Sequence, residues 1–363
     1  MSESSCRNGF TLKDLIVTTV VLVLLFGVGL IFLGGRRGMR PASYRAKCLN
    51  NMHQLAIAFE NFEGAWRRFP ASCRVEKDPE TGQVSAMNGM PGTGWSWCVD
   101  LLPYLGHGAL HSTLDIQGGY PTEAMDDPTH PNMVAMGQSM DISICPAFAG
   151  DRYVNPKTER ETITNYKAMT ATHIESYLAA TDQPAKPLYG EADIHPDGAI
   201  YPGSKHGHTA FAGDGYSNTI LLAETTEQYR SRWMIGTEAA VVGIPARDLG
   251  GKRFFDKKSA YYHPRGYTPD KWDSETTIPA KYNRTYLNWD YEETPYYDSV
   301  AERGASDDFD SNAVFYGPSS HHPGVVNHVF ADGSARSISV DIDAAAYMFM
   351  ITRAGGDSPP KRW

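Results

Sequence analysis

Several groups of side chains in this sequence are of the types that ligate metals or move protons. His321, His322 and His328 precede Asp332, and imidazole with carboxylate is an ordinary donor set for zinc or another transition metal. His206 and His208, separated by Gly207, make a second such group. Neither has the spacing of a known metal motif, and solvated histidines are the competing reading. Asp307, Asp308, Asp310 and Asn312 form an acidic loop rich in oxygen donors, which suits Ca²⁺. Counted from Asp308, the sixth position is Ala313 instead of Gly and the twelfth is Ser319 instead of Glu. The loop is therefore not an EF-hand, and a solvated acidic loop is the alternative. Cys48, Cys73, Cys98 and Cys145 allow three pairings. The fifth cysteine, Cys6, lies ahead of the apolar run, and an even number in the large part fits an oxidising compartment, with isolated buried thiols as the alternative.

Signatures of catalysis are missing. The sequence has no Gly-x-Ser-x-Gly elbow, no His-Glu-x-x-His and no glycine loop with Lys for phosphate, so the expectation is a protein that is not an enzyme and needs no cofactor. A net charge of -9 supplies no basic field for nucleic acid. Between Tyr261 and Tyr297, Tyr and Trp residues including Trp272 and Trp289 alternate with Asp, Glu and Asn. Such a segment could contact a protein partner, pack as a stiff insertion, or hold sugar rings.

These groups must be carried by the elements around them. Leu15 to Leu33 is uncharged and mostly apolar, and at ~1.5 Å per residue it reaches roughly 28 Å, the thickness of a bilayer core. It is longer than a secretory h-region and runs into Gly34-Gly35-Arg36-Arg37 with no small-residue cleavage site, which points to a retained single-pass anchor. Gly34, Gly35, Gly38 and Pro41 should interrupt the helix, which resumes from about Ala42 to Phe62. There Leu49, Met52, Leu55, Ala56, Phe59 and Phe62 recur at spacings of three and four, a stripe that can pack on a sheet. Strands are expected at Ile142 to Cys145, Thr219 to Glu224 and Trp233 to Val242. Val325 to Ala331 and Ser334 to Val340 flank Asp332-Gly333, a two-residue linker of the kind that favours a type I′ hairpin and makes Asp332 a turn residue. Asp341 or Asp343 can cap a last helix from Ala344 to Thr352, ended by Gly355.

Ahead of the apolar run, Gly9-Phe10-Thr11-Leu12-Lys13-Asp14 resembles the N-terminal signature of type IV prepilins and type II secretion pseudopilins. The resemblance implies a leader at residues 1–9 cut after Gly9 by a prepilin peptidase, and methylation of Phe10. It also implies an assembly role for Asp14, in the place of the family's Glu, against the N-terminal amine of a neighbouring subunit. A carboxylate near the start of a membrane helix is costly without a partner. Arg36, Arg37, Arg40, Arg45 and Lys47 would by charge alone keep the large part in the cytoplasm. The pilin resemblance implies the opposite, an inner-membrane protein with its globular part outside.

Further along, Cys48-Leu49-Asn50-Asn51-Met52-His53-Gln54-Leu55 is similar to a stretch of a pilin-like family of unknown function abundant in planctomycete bacteria. Trp95-Ser96-Trp97 with Leu101-Leu102-Pro103-Tyr104-Leu105, then Cys145-Pro146, then Asp214-Gly215-Tyr216-Ser217-Asn218-Thr219-Ile220 ahead of Glu224, look like further segments of it. His322, separated by nine residues from Asp332-Gly333, resembles the family's C-terminal region, and Thr352-Arg353-Ala354-Gly355-Gly356-Asp357 its close. Because Cys48 and Cys145 fall at family positions while Cys73 and Cys98 do not, the resemblance implies that the two extra cysteines pair with each other. Pseudopilins that use Ca²⁺ in C-terminal loops make Asp307, Asp308 and Asp310 the Ca²⁺ candidates.

The expected architecture is α+β and pilin-like: a leader at 1–9, a long helix at 10–62 with its membrane span at 15–33, and a globular, mainly antiparallel β domain at 63–363. That domain carries the aromatic insertion at 261–297 and a hairpin with helix at 325–353. The expected role is structural, by self-association or with other pilin-like subunits in a pilus or secretion filament. A membrane-anchored binding protein for glycan or an envelope partner is the alternative, and an anchored hydrolase comes third.

Overall fold

The computed structural model describes residues 12–75, 86–87, 90–91, 94–116, 121, 127–173, 177, 196–244, 287, 317–342 and 344–353, with the side chains at 27–40, 86, 87, 90, 91, 173, 244, 344, 345 and 348 left out of that description. The chain divides into two units, Met1–Ala46 and Lys47–Trp363. One helix, α1 (Leu12–Trp66), contributes to both and contains Pro41. The interruption expected between Gly34 and Pro41 is thus absent. A proline removes one backbone hydrogen bond and each glycine costs about 1 kcal/mol, penalties that a long cooperative helix can absorb.

From Val20 to Phe26 α1 is apolar and exposed on consecutive positions, with Val23 65% and Phe26 71% exposed. Among the described residues no helix is long and apolar enough to cross a membrane. The expected span at 15–33 reaches past Phe26 into side chains outside the described residues.

From Cys48 onward α1 is amphipathic. Cys48, Met52, Leu55, Ala56, Phe59 and Phe62 are buried, while His53, Gln54 and Ile57 face out. Leu49, expected on the inner stripe, is only half-buried. The stripe packs on a five-stranded sheet built from β3 (Tyr166–His173), β4 (Ile220–Glu224), β5 (Ala240–Ile244), β6 (Val325–Phe330) and β7 (Ala335–Ser339). Its order is β5-β3-β4-β6-β7, and a pair of two-residue strands, β1 (Ala86–Met87) and β2 (Met90–Pro91), stands apart. β3 pairs β5 in parallel, and the other neighbours are antiparallel. The α+β expectation and the mainly antiparallel sheet are therefore correct.

Each face of the sheet has its own core. Tyr166, Ala168, Leu222 and Val329 join α1, Trp95, Trp97 and Trp233 on one side. Met169, Ala223, Val241 and Val326 join Tyr347, Met350 and Ile351 on the other. The latter three come from the closing helix, which follows the short helices α2 (Trp97–Leu101), α3 (Gly108–Thr113) and α4 (Pro131–Met136) and is labelled α5 (Ala344–Ile351). Ser96 caps α2 by accepting from the Cys98 amide and donates its own hydroxyl proton to the Trp233 carbonyl. The Trp97 indole donates to Ala239 O at 2.9 Å. These bonds settle the polar groups of a Trp-rich core.

Three local expectations change. Ile142 to Cys145 is not a strand, because Asp141–Ser143 forms a 3-10 turn leading to Cys145. Strand structure in the Trp233 segment begins only at Ala240. The hairpin turn is not type I′, since Gly333 (φ 77°) is positive and Asp332 is not. Phe330 N donates to Ser334 O and Gly333 N to Phe330 O, which makes a three-residue loop with Gly333 in the left-handed region.

Candidate functional site

A β-bulge sets up the most concentrated chemistry in the described structure. The β4 register against β6 shifts between Ile220 and Leu222. Ile220 therefore joins one core and Leu222 the other, and Glu224 falls on the face that α1 covers, directly opposite Tyr166. Without that shift Leu222 would share the face of Ile220, and Glu224 would follow it.

Glu224 is buried, and its two oxygens have different duties. Oε2 accepts from the Ser320 hydroxyl at 2.8 Å and from the Asn327 side-chain amide at 2.9 Å. Asn327 is held in turn by the Ser337 hydroxyl, which donates to its Oδ1 at 2.6 Å. Oε1 lies 3.5 Å from His322 Nε2, and that nitrogen is 3.4 Å from Cys145 Sγ. Cys145 is bonded to Cys48 of α1, with their Cα atoms 5.2 Å apart. Four residues distant in sequence, Cys48, Cys145, Glu224 and His322, thus meet at a buried point where their ligating atoms lie within 4.8 Å of one another.

The surroundings keep this point fixed. Asn165 accepts from the Cys145 amide at 3.0 Å and donates to Thr225 O, so the end of β4 and the cysteine loop share one anchor. Asn51 of α1 donates to Asp141 O and Ile144 O, holding the helix against the turn before Cys145. The Tyr166 hydroxyl is buried beside Glu224 and Asn51 with no hydrogen bond of ordinary geometry among the described residues. Burial raises the Glu224 pKa to about 7 against the opposing bonds from Ser320 and Asn327. Near neutral pH the carboxyl can accordingly hold or release a proton.

A second buried polar group lies on the other side of β3. Lys167 donates to Arg230 O at 2.8 Å, and burial lowers its pKa to about 8 although Glu227 and Glu238 oppose the shift. Arg232 bridges Glu238 and Glu161. Burial disfavours the charge on Glu238, and the Arg232 guanidinium more than offsets that, leaving its pKa below the ordinary carboxylate value. Here basic groups face acidic ones, the arrangement of a structural knot.

The residues picked from sequence are distributed unevenly about this site. His322 belongs to it, but its motif partners Asp332 and Gly333 form the hairpin tip. Asp332 accepts there from the Ser334 amide and from Arg336, the turn role expected of it. His321, His328 and Asp332 do not join His322 in a metal site. His321 packs on Phe148, while His328 bonds Val326 O and the Tyr347 hydroxyl. His206 meets Tyr201 and His208 meets Glu60, so that pair diverges as well. The expected Cys73–Cys98 disulfide is corrected: both are free buried thiols, and the bond joins Cys48 to Cys145. Cys73 donates to Arg74 O and bridges to Ser96, while Cys98 lies in the first turn of α2. Burial pushes both thiols well above their ordinary value, which makes them poor nucleophiles. Asp14 stands in the first turn of α1. Gly9, Phe10, Asp307, Asp308, Asp310, Asn312 and nearly all of the 261–297 insertion lie outside the described residues.

Sequence reasoning placed Glu224 only as the residue after a motif and gave no role to Asn51, Tyr166 or Asn327. The signal it had was that Cys48, Cys145, Glu224 and His322 each sit in or beside a family-like segment. Their meeting depends on strand register. A family model described as a protein of unknown function (DUF1559) matches residues 37–345, most of the chain but not the apolar part of α1 before it. No curated protein matches the chain. No solved structure matches it either.

Proposed function

We propose that this chain, which belongs to the DUF1559 family of proteins of unknown function, is a pilin-like, membrane-anchored structural subunit whose N-terminal helix packs against like helices. The observation that carries this reading is the exposure of the first part of α1. Val20 to Phe26 are consecutive, apolar and exposed, covering every face of the helix. Such a helix needs lipid or other helices around it. Thr18 and Thr19 turn their hydroxyls back onto Asp14 O and Leu15 O, which removes polar groups from that surface. The same helix continues into the buried stripe from Cys48 to Phe62, so an anchor and a domain share one element.

On this reading the leader ends at Gly9, Phe10 becomes the methylated N-terminus, Asp14 meets a neighbouring subunit, and the domain lies outside the inner membrane. The role is structural and not catalytic. Intact-mass and N-terminal analysis of the protein extracted from membranes tests it: a chain beginning at methylated Phe10 is expected, and one retaining Met1 overturns the processing. Asp14→Ala should abolish incorporation into assemblies while leaving the domain folded, and unchanged incorporation overturns the role of Asp14.

A further inference from the structure

We propose that, when the Cys48–Cys145 bond is reduced, Cys48, Cys145, Glu224 and His322 form a closed four-ligand site for a divalent cation of the zinc class. Two thiolates, an imidazole and a carboxylate are the donors zinc takes in tetrahedral structural sites. All four side chains are buried and their ligating atoms already lie within 4.8 Å of one another. Zn–S bonds of about 2.3 Å at tetrahedral angles place the two sulfurs roughly 3.8 Å apart, a spacing reached from the bonded pair by small side-chain rotations.

The support around the ligands is in place. Ser320 and Asn327 hold Glu224 Oε2 and leave Oε1 directed at His322 Nε2. Asn165 fixes the Cys145 backbone, and Asn51 fixes α1 beside it. Bonds of this kind around ligating residues orient them for a metal. The Tyr166 hydroxyl, fully buried on the same face as Glu224 and lacking a hydrogen bond of ordinary geometry among the described residues, offers a further polar atom at the rim.

The chemistry balances. Reduction delivers two electrons and two protons from a dithiol, which becomes its own disulfide, and yields two thiols. Binding then releases both thiol protons, and the proton of Glu224 where it is held, to solvent as the metal–sulfur and metal–oxygen bonds form. In the oxidised chain the sulfur atoms are bonded to each other and no thiolate is available. The donor set is complete with four protein groups, so the site is structural and keeps no position for substrate.

The test uses the full chain in detergent, oxidised or reduced by a phosphine, which takes up the oxygen of one water as the disulfide becomes two thiols. Co²⁺ is titrated with the visible and thiolate charge-transfer bands as readout, and Zn²⁺ is measured by equilibrium dialysis. One tetrahedral ion per reduced chain, and none in the oxidised chain, is expected. His322→Ala should weaken binding at least ~10-fold, and a chain carrying both Cys73→Ser and Cys98→Ser should bind as before. If His322→Ala does not fold, the wild type decides alone: Zn²⁺ raises the Tm of the reduced chain and leaves that of the oxidised chain unchanged. Equal metal binding by the oxidised and reduced chains, or undiminished binding by Cys48→Ser, overturns the proposal.

Discussion

Single side chains here carry consequences that denaturation can read. The Cys48–Cys145 bond closes a loop with a sequence separation of 97, and removing so long a cross-link from the unfolded chain costs stability on the order of 2–5 kcal/mol. Cys48→Ser with Cys145→Ser, unfolded in urea with a chelator present, should show that loss, and an unchanged midpoint would contradict it. His328 supplies a pH dependence of its own. Burial drives its pKa down to about 3, opposed only by the bond to Val326 O. Between pH ~6.5 and ~3 the unfolded chain takes up a proton that the folded chain refuses. The stability is therefore complete above pH 6.5 and is lost as pH falls, at up to ~1.4 kcal/mol per pH unit from this residue. His328→Gln should flatten that part of the slope in urea unfolding series between pH 6.5 and 4, and an identical slope would remove His328 as its source.

Elements show where sequence patterns speak and where they fall silent. The stripe on α1 predicts that Phe59→Ala costs ~3–5 kcal/mol, whereas Ile57→Ser, on the exposed side, stays within ~0.5 kcal/mol. Urea midpoints of the two variants check the contrast. That stripe was legible because one face is wet and the other dry. The hairpin was legible by another signal, the Asp332-Gly333 linker between two short β-prone runs, since β6 itself is buried on both faces. β3 was not, because residues from Tyr166 to Ala171 are buried on both faces and leave no alternation to read. Ile142 to Cys145 misled because a short apolar run also fits a 3-10 turn whose carbonyls are taken by Asn51 and by the Asn165 backbone amide. The site was legible residue by residue and not as a site. Cys48, Cys145, Glu224 and His322 stand in four separate segments, and the bulge that turns Glu224 toward the others leaves no mark in the sequence.

At the scale of the molecule, the two units make different demands. The unit from Lys47 onward has both cores, the disulfide and both buried polar groups. A fragment beginning at Pro41 should therefore fold without detergent, keep the Cys48–Cys145 bond, and unfold within a few degrees of the full chain. Circular dichroism and thiol counting read this outcome. A fragment that is unfolded would show that the apolar part of α1 is needed for the domain itself.

The position of the Cys48–Cys145 bond has a mechanical meaning. Cys48 is the first buried residue of α1 among those described, so a pull along the helix from its N-terminal end enters the domain at that residue. A covalent clamp at the entry makes the load act on the loop at Cys145 and the strands behind it in shear. With the bond intact, peeling the helix from the sheet one turn at a time is blocked at Cys48.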